Sequence, residues 1–102
     1  MPDTYAVIAE PSRRRILDQL LQSESSVTEL VENLGMSQPL VSKHLRTLRE
    51  SDLVHVRVEA QRRIYSLNAE PLAAIDDWLS AYRKEWNRHV DALDEYLNRK
   101  NV

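Results

Sequence analysis

Ser42, His44 and Asp52 are the residue types of a nucleophilic triad. Such a trio works only when hydroxyl, imidazole and carboxylate meet in one line of hydrogen bonds. Two residues apart on a helix, Ser42 and His44 face about 200° away from each other, so this trio does not assemble. The acidic pairs Asp76-Asp77 and Asp94-Glu95 fall on a long helical stretch that implies no cleft. The absence of cysteine removes thiol nucleophiles, thiolate metal sites and disulfides. A single glycine argues against phosphate-cradling loops. No catalytic constellation is expected, and the chain reads as a non-enzyme. A second set of residues fits different chemistry. Ser37, Gln38, Ser42, Lys43 and Arg46, followed by Arg62 and Arg63, offer amide, hydroxyl and cationic groups of the kind that contact a nucleic-acid duplex.

The elements that would position these groups are readable from periodicity. Tyr5, Ile8 and Ala9 suggest a short helix before Pro11, and Pro11 suits the first turn of the next. Ile16, Leu17, Leu20 and Leu21 give that second helix an apolar stripe. Ser23 to Ser26 reads as a polar connection. Ser26 and Glu29 fit a capping box, Leu30, Val31 and Leu34 a buried face, and Gly35 a left-handed helix end. Ser37 reads as the next N-cap, with Pro39 in the first turn. Val41, Leu45 and Leu48 form the stripe of that helix, and Ser42, Lys43, Arg46 and Arg49 lie off it. Residues 27–51 therefore read as a helix-turn-helix.

The period then changes to two at Val54, Val56 and Val58, and Ile64 to Leu67 is a second β-prone run, so residues 53–67 read as a hairpin. Glu59-Ala60-Gln61-Arg62 holds no Gly, Asn or Asp, which predicts a loose tip rather than a tight two-residue turn. From about 70 to 100 the helical period returns through Leu72, Ile75, Leu79, Tyr82, Trp86, Val90, Leu93 and Leu97. A chain of 102 residues offers too little body to cover so long a stripe. The same helix of a second subunit is the expected cover.

The formal net charge of −2 argues weakly against a nucleic-acid partner, but it is an average. Residues 1–36 carry −3, residues 37–67 carry +3 and residues 68–102 carry −2. A local basic surface is what phosphate contacts require, although a solvated charged face would look the same.

Several blocks together carry a resemblance. Ala9 to Leu17 (AEPSRRRIL), Val27 to Leu30 (VTEL), Met36 to Leu48 (MSQPLVSKHLRTL), Leu53-Val54 and Arg62 to Leu67 (RRIYSL) resemble the ArsR/SmtB family of small winged helix-turn-helix repressors. The resemblance runs from about residue 5 to residue 68, and a closing long helix is also typical of that family. It implies a mainly α fold with a small β-hairpin, in the order α-α-α-α-β-β-α, as one domain over 1–102. It also implies a homodimer built by the first and last helices, with Tyr5, Ile8, Leu72, Ile75, Leu79, Tyr82, Trp86, Val90, Leu93 and Leu97 at the interface. Double-stranded DNA would be the partner, and repression by occupying a palindromic operator the function.

On that reading the helix starting at Ser37 enters the major groove. The Gln38 amide pairs with adenine N6 and N7, Ser42 and Lys43 meet base edges or phosphates, and Arg46 grips the backbone. Of Arg62 and Arg63, Arg62 is preferred as the wing contact, being nearer the tip. Plainer readings stand beside these: Gln38 as a helix-capping residue, Ser42 bonded to its own helix, the cations as solvated surface. Three consecutive arginines, Arg13, Arg14 and Arg15, spread around a helix, so at least one supports the fold.

The resemblance does not carry over whole. Many members sense metal through a cysteine segment near the position of Val27, and this chain has no cysteine. Others use Asp-x-His-x10-His-x2-Glu/His on the last helix. Here Asp76 and His89 match, but Trp78 and Ala92 replace the other two ligands. No metal and no cofactor are expected. Metal-responsive repression through His89 and carboxylates, and a protein-interaction module using the long helix, remain the rival readings. A small-molecule or protein effector is left open. No apolar run is long enough to span a membrane and no signal peptide is recognisable, so the cytoplasm is the expected location.

Overall fold

The computed structural model describes residues 3–100. Six residues form the first helix, α1 (Thr4–Ala9), started by Asp3, whose side chain accepts from the Tyr5 N–H. Glu10 ends α1 and caps α2 (Pro11–Gln22) by accepting from the Ser12 N–H at 3.3 Å. Next come β1 (Ser25–Ser26), α3 (Val27–Leu34), α4 (Gln38–Glu50), β2 (Val54–Glu59) and β3 (Arg62–Leu67). A 3-10 turn at Glu70–Leu72 precedes α5 (Ala73–Lys100). The chain divides into two units between Leu72 and Ala73.

In the first unit the core gathers one face from each helix. Ile16, Leu30, Val41, Leu45, Leu48 and Leu53 are buried almost completely. All but Leu53, which follows α4, are stripe positions of α2, α3 and α4, so amphipathic periodicity accounts for the helix packing. The capping box at Ser26 and Glu29 is present in both directions, each bond at 3.2 Å. Gly35 ends α3 with φ 66° and an open space around its missing Cβ, so backbone conformation alone favours glycine there.

The end of α4 is built on a residue less suited to its conformation. Asp52 sits at φ 60°. The Leu53 N–H donates to Leu48 O at 2.9 Å and the Asp52 N–H to Arg49 O at 3.0 Å, the paired bonds of a Schellman end. Leu48 and Leu53 are both fully buried, supplying the apolar contact that goes with it. Asn68 Nδ2 secures the turn by donating to Asp52 O at 2.7 Å.

Three expectations need correction. Ser25 and Ser26 are not simply a connection: they pair antiparallel with Tyr65 and Ile64, making a three-stranded sheet in the order β1-β3-β2. Both serines are buried, and strand pairing gives their backbone groups partners while covering the outer edge of β3. The hairpin tip is tight. Glu59 pairs with Arg62, leaving Ala60 (φ 49°) and Gln61 (φ 71°) as a two-residue loop with both residues left-handed. That geometry follows the twist of the flanking strands, and continuous pairing from Val54↔Leu67 onward imposes it on residues that do not favour it. Finally, the closing helix starts at Ala73 rather than near 70, which places Leu72 in the 3-10 turn, half-buried against the core of the first unit.

The second unit is α5, 28 residues long and so about 42 Å from end to end. Trp86, Val90, Leu93 and Leu97 are each roughly half exposed along it. The Trp78 and Tyr82 rings meet tilted by 49°, with centroids 4.9 Å apart. Arg83 pairs with Asp76 at 2.7 Å, and Glu85 with both Arg88 and His89. No helix among the described residues is long and apolar enough to cross a membrane.

Candidate nucleic-acid interface

The face of α4 opposite the core is where the candidate residues come together. Ser37 accepts from the Leu40 N–H at 3.4 Å and so starts the helix. Gln38, Leu40, Ser42, Lys43, Arg46 and Arg49 are exposed, while Val41, His44, Leu45 and Leu48 are buried. Burial of the stripe thus fixes which side chains the helix can present. Gln38 at the N-terminal end and Ser42 one turn on both project outward. Among the described residues neither side chain has a hydrogen-bond partner, so Ser42 does not back-bond to its helix. Thr47 does, donating to Lys43 O at 3.3 Å.

Cations of the basic segment divide into engaged and free. Arg46 pairs with Glu50 at 3.2 Å on the exposed side of α4. On the sheet, Arg57 makes a two-pronged pair with Glu24 and a further bond to Glu59 at 3.0 Å. Its Glu24 partner is held below the usual carboxylate range by those bonds, and the two carboxylates hold the Arg57 proton more tightly still. Arg62 Nη2 lies 2.8 Å from Glu29 Oε1. Glu29 titrates below its ordinary value, first because of the backbone bond from Ser26, then the Ser26 hydroxyl side, with Arg62 adding to it. Lys43, Arg49 and Arg63 have no ion pair among the described residues. Arg62, preferred as the wing contact for being nearer the tip, is therefore the paired one of the two wing arginines, and Arg63 the one without an ion pair. Strand alternation puts Arg62 on the face of Arg57 and Glu59, and Arg63 on the other with Val58 and Tyr65.

The three consecutive arginines are all used inside the fold. Arg13 donates to Val7 O at 3.2 Å and to His44 Nδ1 at 3.3 Å. Arg14 caps the end of α1 through Ile8 O at 2.7 Å and Ala9 O at 3.1 Å. Arg15 reaches Leu34 O at 2.8 Å, the last turn of α3. Each satisfies carbonyls that a helix end leaves without partners.

On the metal question, His89 Nε2 lies 3.1 Å from Glu85 Oε1, not beside Asp76 or Asp91. Among the described residues no group of three His, Cys, Asp or Glu side chains is arranged to hold a metal ion.

The sequence profile described as "Bacterial regulatory protein, arsR family" matches residues 10–56, which contain α2 through α4 and the start of β2. The HTH-type transcriptional regulator Rv2034 of Mycobacterium tuberculosis is 35% identical over 98 residues, covering 95% of this chain and 89% of its own length. The chain belongs to the ArsR family. This ArsR-family protein is a DNA-binding transcriptional regulator, as its relatives are, and not an enzyme. The arsenical resistance operon repressor of Staphylococcus xylosus is 37% identical over 70 residues, 69% of this chain and 67% of that one. Among solved structures, one described as a possible transcriptional regulator for arsenical resistance aligns with TM-score 0.73 at 32% identity, over 90% of this chain and 97% of that chain. Winged helix-turn-helix architecture with a long last helix is thus shared with regulators of known structure.

Proposed function

We propose that this regulator acts as a homodimeric repressor, placing α4 of each subunit in successive major grooves of a palindromic operator. The observation that carries the reading is the division of α4: Gln38, Ser42 and Lys43 are exposed near its N-terminal end, and the opposite stripe is anchored in the core. Gln38 then pairs with adenine, Ser42 and Lys43 reach base edges or phosphates, and Leu40, 37% exposed, meets a thymine methyl. Ser37 and the first free N–H groups of α4 accept a phosphate. Arg49 and Arg63 supply further phosphate contacts, and Arg46 and Arg62 join when phosphate replaces their carboxylate partners.

The dimer reading rests on two apolar surfaces, each described within its own unit. One is the stripe of α5, half-buried at Ile75 and Leu79 and exposed from Tyr82 and Trp86 to Leu97. The other is a groove of about 310 Å³ in the first unit, lined by Ile8, Leu17, Leu21, Leu67, Ala69 and Leu72 with Arg14 and Asp18. Tyr5, on the same short helix as Ile8, is 41% exposed. Two copies related by a dyad present half-sites about 34 Å apart.

The test is selection of duplexes from a randomised pool, followed by titration of the best one at several salt concentrations. Recovery of an inverted repeat, bound with a steep salt dependence by two chains per duplex, supports the reading. Binding that ignores sequence and salt refutes it.

A further inference from the structure

We propose that Arg13 is a positioning residue for DNA reading: its bond to His44 Nδ1 holds α4 in place only while His44 is neutral, so proton uptake by His44 frees α4 and weakens operator binding.

The geometry carries this. Arg13 leaves α2 and bridges two other helices. Its Nη1 donates to Val7 O in α1, and its Nε donates to His44 Nδ1 in α4. A guanidinium is a donor only and stays charged at any working pH. The Nδ1 it meets must therefore carry a lone pair, which assigns His44 the neutral form with its proton on Nε2. An imidazolium at the same place would point an N–H at an N–H and one cation at another. The bond and the second proton are mutually exclusive.

The surroundings set the direction of the response. His44 is buried at 6% exposure on the core side of α4. Burial is the main cause that holds its pKa below the usual 6.5, the Arg13 charge is next, and Lys43 adds to both. Glu10, at the junction of α1 and α2, acts the other way by attracting the imidazolium. Lys43, the next residue in α4, is exposed on the face proposed to meet DNA. Loss of the Arg13 bond leaves α4 seated through Val41, Leu45 and Leu48, so the expected change is a shift of the helix rather than its unfolding.

This inference rests on the placement of α4 in the groove, and the experiment separates the two. The intact chain is titrated with the duplex recovered by selection at pH 7.5, over pH 7.5 to 5.5. Binding should weaken by up to about tenfold per subunit, and so up to about a hundredfold for the dimer, for each pH unit below the His44 pKa, because the bound state takes only the neutral form. That sign is opposite to the ordinary trend, in which a protein gaining positive charge binds phosphate more tightly. His44→Gln keeps an acceptor for Arg13 without a titrating group and should flatten the profile. Removing the other two histidines (His55→Gln with His89→Gln) should leave it intact. A flat wild-type profile, or one that persists in His44→Gln, overturns the proposal. The same states are read without DNA by nitrogen NMR of the imidazole, expecting an unprotonated Nδ1 at pH 7.5 and movement of the Gln38 and Ser42 amides as His44 titrates. A chain that binds no selected duplex overturns the groove placement; the amides then decide the latch, and their failure to move with His44 overturns it too.

Discussion

Arg62 is tied to Glu29 at 2.8 Å, which joins the tip end of the wing's second strand to the first turn of α3. The same carboxylate oxygen accepts the Ser26 N–H, so one side chain closes the capping box and restrains the wing. Both side chains are largely exposed, and an exposed pair is readily exchanged for a phosphate. Glu29→Gln keeps the capping geometry, since glutamine serves at that position, but releases Arg62. Non-specific duplex affinity should rise, and the slope of log affinity against log salt should steepen by up to about 0.9 per subunit. Salt-dependent titrations with an unrelated duplex measure this.

Arg63 has no such partner, and this sets the order of effects in the wing. Arg63→Ala should weaken every duplex by a similar factor and lower the salt slope by about 0.9 per subunit. Arg62→Ala should do less, because its charge is already partly neutralised within the chain. Equal losses for the two variants would show that Arg62 exchanges Glu29 for phosphate at no cost.

Gln38→Ala should act differently from any arginine. A bidentate amide–adenine contact contributes about 1–3 kcal/mol of discrimination, so the variant should lose preference at one symmetric position of each half-site. Its affinity for unrelated duplexes should stay near that of the parent. Selection from a randomised pool with parent and variant reads the difference directly.

Much of the helix-turn-helix was legible in the sequence because it rests on local rules. Ser26 and Glu29, Gly35 and Ser37 announce their helix ends through residue type and spacing alone, and Val41, Leu45 and Leu48 define the buried side of α4. What was not legible depends on partners far along the chain. Nothing near Arg13, Arg14 and Arg15 shows that their guanidinium groups serve carbonyls of α1 and α3 and an imidazole of α4. Glu24 and Glu29 come to Arg57 and Arg62 across 33 residues of sequence, so a charge count could locate the basic segment but not its free cations. Ala60 and Gln61 hide the tight turn because strand register, not local preference, sets their left-handed conformation.

That conflict between residue type and backbone can be relieved. Asp52 at φ 60° ends α4 where glycine is favoured, and Asn68 holds it through its carbonyl, which a glycine retains. Asp52→Gly should stabilise the fold by about 0.5–1 kcal/mol, the strain relieved exceeding glycine's added entropy in the unfolded chain. Thermal melts decide it, and a lower melting temperature would mean that the aspartate carboxylate has a role of its own.

The long helix makes a claim of a different kind. Trp86 and Leu93 are 55% and 56% exposed and follow Leu79 on one stripe by one and two heptads. A charge placed there cannot be tolerated between two packed helices. Leu93→Glu should therefore yield monomers by sedimentation while leaving the helix content of the chain nearly unchanged. Operator affinity should fall with it, since a single subunit contacts one half-site. A variant that still sediments as a dimer would move the interface away from this stripe.

Acid should weaken the fold through His44 apart from any effect on DNA. Its folded pKa lies below 6.5, mainly from burial and then from Arg13, so the unfolded chain takes up the proton first. Where the unfolded state binds more protons, stability rises with pH. The contribution is therefore complete above about pH 6.5 and is lost progressively as pH falls from there through the folded pKa. Denaturant titrations of the parent between pH 7.5 and 5 should show the midpoint dropping within that window. In His44→Gln this part of the drop should vanish, leaving only the carboxylate titrations at lower pH. Glu24 and Glu29, held below their ordinary values, contribute there: their stabilising effect is present above about pH 4.5 and disappears as pH falls further. A midpoint that falls between pH 6.5 and 5 equally in parent and His44→Gln would mean that another group, not His44, takes up the proton.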